Sequence, residues 1–250
     1  MKLSLSTLGC AALLAACFVC APASASVVIA TTRVIYPAES PEVTVRLSNE
    51  GRHPSLVQVW VDEGGPEDPE GELQGPFSLT PPLFRLDPGK RQSLRLFHDG
   101  RRMPEDRESL YWLNVLDVPP KGGGGNSLQI SLRTRIKLFY RPQGLSGKAE
   151  QAHAQVTWRL VKDAQGWALQ ADNPTQYHVN LAVLEVARPD STLAAEVGHI
   201  PPRDSARFAL QAAPSGLGPV SEVRYQYLDD YGALQKATSV VQPFNGPLVP

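Results

Sequence analysis

Apolar and polar residues alternate in short runs along most of the chain, and Gly, Pro and Asn cut those runs apart. Helical spacing is nearly absent. A period of two puts every second side chain on one face, as in half-buried β-strands. The clearest case is Asn126 to Pro142, NSLQISLRTRIKLFYRP. It predicts one long strand with Leu128, Ile130, Leu132 and Ile136 on one side. Gln129, Ser131, Arg133, Arg135 and Lys137 fall on the other. Gly122 to Gly125 lead into it, and Arg141-Pro142 closes it. A row of aliphatic side chains with cations near its far end suits lending a strand to another protein better than it suits catalysis.

Further strands are expected at Val27 to Ile35, Glu42 to Ser48, Leu56 to Asp62, Leu83 to Leu86, Ser93 to His98 and Ser109 to Val118. With Leu128 to Tyr140 these make about seven, the number in a simple immunoglobulin-like sandwich. Pro81-Pro82, Asp87-Pro88-Gly89 and Pro119-Pro120 punctuate them. Gly64 to Gly75 reads as an acidic, solvated hairpin tip. After Pro142 the texture becomes polar (Gln143 to Gln151), as at a linker. Strands resume at Gln155 to Val161, Trp167 to Ala171, His178 to Ala187, Ser205 to Leu210, Glu222 to Leu228 and Ala237 to Gln242. Asn173-Pro174-Thr175 and Asp229-Asp230-Tyr231-Gly232 mark turns. The pattern predicts an all-β protein of two sandwiches.

The first residues read differently. Lys2, the apolar stretch Leu3 to Cys20 and the small-x-small triplet Ala23-Ser24-Ala25 form a secretory leader over residues 1–25, leaving a chain from Ser26. An uncleaved anchor is the alternative, and Leu14-Ala15-Ala16-Cys17 resembles a lipoprotein processing box. All three cysteines, Cys10, Cys17 and Cys20, lie in this leader, so the mature chain can form no internal disulfide. Its stability must come from burial. About 225 residues suffice for two modest cores. No other run is long and apolar enough to span a bilayer. A formal net charge of −1 at pH 7 gives a nucleic-acid partner no electrostatic support.

Candidate chemistry is sparse. His53, His98, His153, His178 and His199 are scattered, with no HxH or HExxH pair, so no metal site is expected. No nucleophile elbow, phosphate loop or dinucleotide fingerprint occurs, and neither an enzyme nor a cofactor is indicated. Glu108, Arg141 and Asp230 are well-placed charges, but nothing in their spacing shows that they meet. Trp60, Trp112, Trp158 and Trp167 sit in strand-like surroundings and are expected in the core. As exposed platforms they would instead suit a secreted carbohydrate- or surface-binding module.

Two long motifs bear a resemblance. Met103 to Pro119, MPEDRESLYWLNVLDVP, and Arg135 to Pro142, RIKLFYRP, are similar to the signature of the periplasmic pilus-assembly chaperones of the chaperone–usher pathway. Thr32-Arg33-Val34, Thr80-Pro81-Pro82, Arg85-Leu86-Asp87-Pro88-Gly89, Asn173-Pro174-Thr175 and Asp230-Tyr231-Gly232 follow in family order. The resemblance implies two immunoglobulin-like domains, 26–146 and 147–250, set in an L or boomerang with a cleft between them. It implies that Arg33 and Lys137 anchor a subunit's C-terminal carboxylate. Leu128, Ile130 and Leu132 become donor residues that fill the groove of an incomplete pilin, a mode of strand addition for which this family is a standard example. Glu108, Arg141 and Asp230 become an interdomain bridge. The implied function is non-catalytic capping of fimbrial subunits in the periplasm and delivery to an outer-membrane usher. The short connection from Pro119 to Ser127 resembles the short-loop branch of the family. Whether the free molecule caps itself as a dimer stays open.

Overall fold

The computed structural model describes residues 26–64, 74–121, 128–163, 166–189, 191–211, 220 and 222–242. The leader with its cysteines, most of the acidic loop and the glycine run lie outside the described residues. No helix among them is long and apolar enough to cross a membrane.

The first half is a two-sheet sandwich. One sheet has the order β1 (Val27–Ile29), β3 (Val43–Asn49), β7 (Arg91–His98), β5 (Phe77–Thr80). The other runs β2 (Arg33–Pro37), β9 (Leu132–Arg141), β8 (Ser109–Val118), β4 (Ser55–Asp62), β6 (Leu83–Leu86). Alternation is kept faithfully. Along β4, Val57, Val59 and Val61 are buried while Leu56 and Gln58 are exposed. They pack with Val45, Leu47, Leu94, Leu96, Leu113 and Leu138 between the sheets.

The expected strand Val27 to Ile35 is two strands. Its first part pairs with β3 and its second, parallel, with β9. The chain changes sheets at Ala30 to Thr32, where the Thr31 hydroxyl donates to the Arg33 carbonyl at 2.6 Å. This local side-chain bond offers the backbone an alternative to the ladder. The strand β5 was not anticipated. It has only four residues, with Phe77 and Leu79 buried and Ser78 and Thr80 exposed.

The second half forms one hydrogen-bonded set of eight strands, β10 (Thr157–Asp163) to β17 (Leu234–Gln242), rolled around a core of its own. Trp158, Leu169, Leu184, Val186, Ile200 and Val223 sit in that core. Where a linker was read, a single helical turn, α1 (Ala149–Ala152), tucks Ala152 against it.

Asn173, at the end of β11 (Gly166–Asn173), shows why the Asn-Pro-Thr turn is built as it is. Its buried amide donates to the carbonyls of Tyr177 at 2.8 Å and Pro201 at 3.0 Å. Its oxygen accepts from the Thr175 amide at 3.0 Å and hydroxyl at 2.7 Å. Truncation would orphan several buried groups at once. Asn173→Ala is expected to cost about 2–4 kcal/mol, read as a lower urea midpoint. An unchanged midpoint would show that water replaces these bonds freely.

Candidate functional site: a cationic cleft between two sandwiches

The parallel pairing of β2 and β9 sets Arg33 and Lys137 directly opposite one another. Neighbouring strands lie about 4.8 Å apart and register partners share a face, so the two cations stand side by side. Both reach toward the second sandwich. Buried Arg33 donates from Nη1 to the Leu228 carbonyl at 3.1 Å, while its Nε has no hydrogen-bond partner. Lys137 Nζ donates to Asn180 Oδ1 at 2.6 Å and lies 5.7 Å from the centre of the Trp112 ring. Burial, and then the neighbouring Arg33 charge, pull the Lys137 ammonium down to about 8. The same burial, followed by Lys137 and His178, drives His199 down to about 4. Arg33 is also pulled down by burial, against the pull of Asp230 and Asp229. The cleft is lined by Arg33, Phe139, His178 and Asn180 and also by Glu108, Asp229 and Asp230, while the direct hydrogen-bond partners of Arg33 and Lys137 are uncharged oxygens in a partly dry setting. A carboxylate would be a stronger acceptor for these two cations than either oxygen.

Beside it lies the charged trio. Arg141, at the end of β9, donates from Nε to Glu108 Oε1 at 2.7 Å. Its two other nitrogens grip both oxygens of Asp230 at 2.7 and 2.9 Å. The other Glu108 oxygen accepts the His178 amide at 2.8 Å. Burial opposes the charge on Arg141, but hydrogen bonds and fields from Asp230 and Glu108 outweigh it and raise its pKa. Glu108 and Arg141 belong to the first sandwich and Asp230 and His178 to the second, so the trio bridges the two. The Asp-Tyr-Gly turn that carries Asp230 is closed by Asp229, whose carboxylate accepts the Tyr231 and Ala233 amides at 3.0 and 2.9 Å. Gly232 has φ of +83°, and a Cβ there would lie 2.2 Å from the Thr32 hydroxyl oxygen. Only glycine lets this turn approach the first sandwich so closely.

Leu128, Ile130 and Leu132 do not face their own core. They are 86%, 68% and 49% exposed. The expected strand began at Leu128, but the ladder begins at Leu132, opposite Asp117. The cause lies in β8, which ends at Val118. Pro119-Pro120 follow it, and proline has no amide to continue a ladder. Residues 128 to 131 therefore form an unpaired arm, touched by the Gln129 amide donating to the Pro119 carbonyl at 2.7 Å. Among the described pairings β2 covers β9 only over Lys137 to Arg141. The edge from Leu132 to Ile136 is open on that side.

The opposite face of β9 holds an ion network that the spacing did not reveal. Buried Asp62 accepts from Arg133 at 3.2 Å, Arg135 at 2.5 Å and the Asn114 amide at 2.7 Å. Arg133 lies 4.9 Å from the centre of the Trp60 ring and Arg135 4.6 Å from that of Trp112. Trp158 is fully buried as expected, but Trp60 and Trp112 are half-buried beneath guanidinium groups. His178 and His199 also meet, with ring centres 5.7 Å apart. Sequence distance hid that contact and the Asn180 partner of Lys137. No group of three or more metal-ligating side chains is found among the described residues.

Two family matches agree with this architecture. Residues 26–146 match the pili and flagellar-assembly chaperone PapD N-terminal domain, and residues 151–239 the pili assembly chaperone PapD C-terminal domain. The chain belongs to the PapD-type pili assembly chaperones. Its sequence is 47% identical over 241 residues to the chaperone protein FimB/FhaD of Bordetella pertussis, covering 93% of this chain and 94% of that protein. It is 35% identical over 214 residues to the probable fimbrial chaperone YadV of Escherichia coli, covering 83% and 87%. The YadV crystal structure superposes with a TM-score of 0.76 at 33% identity, over 86% of this chain and all of that one. A Salmonella enterica structure of the SafA pilin in complex with the SafB chaperone matches with a TM-score of 0.71 at 28% identity, over 88% of this chain and 98% of that one. Both halves are immunoglobulin-like sandwiches, as the strand count had suggested for the first.

Removing Glu108 leaves one arm of Arg141 and the His178 amide without their acceptor. Glu108→Ala is expected to cost about 3–5 kcal/mol. The pair Arg203–Asp106 also joins the two sandwiches, at 2.9 Å, but its side chains are 44% and 52% exposed. Arg203→Ala should cost under about 1 kcal/mol. Calorimetry on both variants separates a buried bridge from a solvated one. Equal melting temperatures would remove the distinction.

Proposed function

We infer that this protein is a non-catalytic, ATP-independent periplasmic chaperone. It caps fimbrial subunits by donor-strand complementation and delivers them to an outer-membrane usher. In this reading residues 1–25 are the leader, 26–146 the chaperone domain and 147–250 the second domain. The observation that carries it is the sharing of one strand by two features. Lys137 pairs with Arg33 at the cleft, and the same strand continues toward an arm of exposed aliphatic residues. A carboxylate fixed between the two cations sets the register of any chain laid along the open edge of β9. Leu132, Ile130 and Leu128 lie five, seven and nine residues further on, about 17–30 Å along an extended strand. Burying them in a subunit's groove would contribute about 5–8 kcal/mol, less the cost of ordering the arm. Glu108, Arg141 and Asp230 hold the two domains in the orientation that keeps the cleft open to that chain.

The pili-chaperone relatives and the pilin complex of SafB support this reading. A carbohydrate-binding module would need an exposed aromatic platform. Trp158 is buried, and Trp60 and Trp112 are covered by Arg133 and Arg135.

Loss of either anchor should end co-purification with a cognate pilin while the chaperone stays folded. Arg33→Ala and Lys137→Ala test this, and wild-type recovery of subunit with both changes would reject the anchor. Lys137 adds a pH signature. Below about 8 it is charged before and after docking, so affinity is flat. Above that, binding must take up a proton, and affinity should fall up to about tenfold per pH unit. Lys137→Arg should abolish that slope. A slope unchanged in this variant would assign the titration elsewhere.

Ile130→Asp puts a charge on the arm at a position that touches no core. The protein should remain soluble and equally stable, yet recover little subunit from periplasmic extracts. Undiminished subunit yield would exclude use of the arm as a donor.

A further inference from the structure

Asp117 is buried at the end of the first sandwich, on the inward face of β8 with Leu113 and Val115. Its Oδ2 accepts the amide of Val27 at 3.2 Å, so it ties β1 in one sheet to β8 in the other. Its Oδ1 is buried with no hydrogen-bond partner. A buried carboxylate oxygen left unpaired is costly, and natural structures rarely keep one. The residue before Val27 is Ser26, and it is held firmly. Its carbonyl accepts the Glu50 amide at 2.8 Å, and its hydroxyl lies 2.8 Å from that of Ser55. Its hydroxyl also donates to Asn49 Oδ1 at 3.4 Å. The Ser26 nitrogen is thus fixed one residue, at most about 3.8 Å of chain, from an amide already bonded to this carboxylate. The side chains that hold the Ser26 hydroxyl, Asn49 and Ser55, carry no charge.

We propose that Asp117 is a binding site for the chain's own processed N-terminus, a primary ammonium at Ser26. Hydrolysis of the Ala25–Ser26 peptide bond by a leader peptidase consumes one water. It leaves a carboxylate on the departing Ala25 and an ammonium on Ser26. The single amide N–H of the precursor becomes three charged donors, one of which reaches Oδ1. The inference rests on removal of residues 1–25. The two sheets of the first sandwich then gain a charge-assisted bond only after export, and the precursor is the looser molecule.

The test is a set of chains beginning at Ser26, released from a fusion so that the amino group is free, and the same chains Nα-acetylated. Each is made with Asp117 and with Asp117→Asn, and unfolded in urea at pH 7 and pH 10. An ammonium paired in the folded state has its pKa raised above the ordinary 7.7–8.0. Its stabilisation is therefore complete below that range and lost as pH rises through the folded value. The free-amino chain is expected to show an unfolding constant about tenfold lower than the acetylated chain at pH 7. The gap should close at pH 10 and be absent with Asp117→Asn. Glu50 and His53 meet this site through their backbone, Glu50 by its amide to Ser26 and His53 by its carbonyl to Asn49, and both are common to every version. Equal urea midpoints for free and acetylated Asp117 chains at pH 7 would overturn the proposal, without reliance on the substituted protein. A gap that survives Asp117→Asn would place the ammonium elsewhere. N-terminal sequencing of exported protein separates the two premises. A start at another residue would overturn the natural pairing even if the engineered cycle holds.

Discussion

The parallel contact between β2 and β9 is the constraint on which the functional geometry depends. It spans five residue pairs, Arg33↔Lys137 to Pro37↔Arg141. At one end it aligns two cations that would otherwise be driven apart by their like charge. At the other it places Arg141 where Glu108 and Asp230 can hold it. Because β2 is short, it leaves β9 uncovered from Leu132 to Ile136, the edge on which an incoming strand would lie. A longer β2 would complete the sheet and abolish that edge. The break at Ala30 to Thr32, which sends β1 to the opposite sheet, keeps β2 short.

Charge is divided between two neighbouring tasks. Arg141 is held by two carboxylates in a partly buried arrangement whose Coulomb gain is offset by desolvation. Its better justification is directional. A bidentate guanidinium–carboxylate pair has a fixed plane, and this one crosses from one sandwich to the other together with the close contact of Gly232 and Thr32. Arg33 and Lys137 are treated oppositely. They are partly dehydrated, but the partners they find are a carbonyl and an amide oxygen. A full carboxylate would be a better acceptor than either. Burial, and then the charge of Arg33, lower the pKa of Lys137.

Much of this was legible in the chain. Period-two alternation located most strands of both halves, because each sheet buries one face. It failed where strands were too short to show a period, as in β5, β13 (Thr192–Ala194) and β14 (His199–Ile200). It also failed where one apolar run served two sheets, at Val27 to Ile35. The long motifs singled out Arg33, Lys137, Glu108, Arg141 and Asp230, and these five lie around one cleft. What stayed hidden was every contact between residues distant in sequence and unremarkable in type. Asn180 against Lys137, His178 beside His199, and Asp62 beneath Arg133 and Arg135 depend on register and on the docking of two domains. Alternation showed that Trp60 and Trp112 lie in strands, but not that their face is roofed by arginines.

The strand β9 carries opposed demands on its two faces, and this explains its composition. Leu132 and, in the arm before it, Ile130 and Leu128 would in the proposed role fill a groove, yet they stand in water in the free molecule. Exposed aliphatic residues on an open edge invite self-association. The odd positions supply the remedy. Arg133, Arg135 and Lys137 line the other face, and Asp62 with the two tryptophans fixes the first two in place at the point where pairing to β8 stops. A strand edge flanked by cations would discourage pairing with a copy of itself, and in the proposed role an acidic chain end would be drawn to the cleft a few residues away. In the proposed role the arm would be held back from indiscriminate contact by the cations on its other face, and those at the cleft would favour a carboxylate.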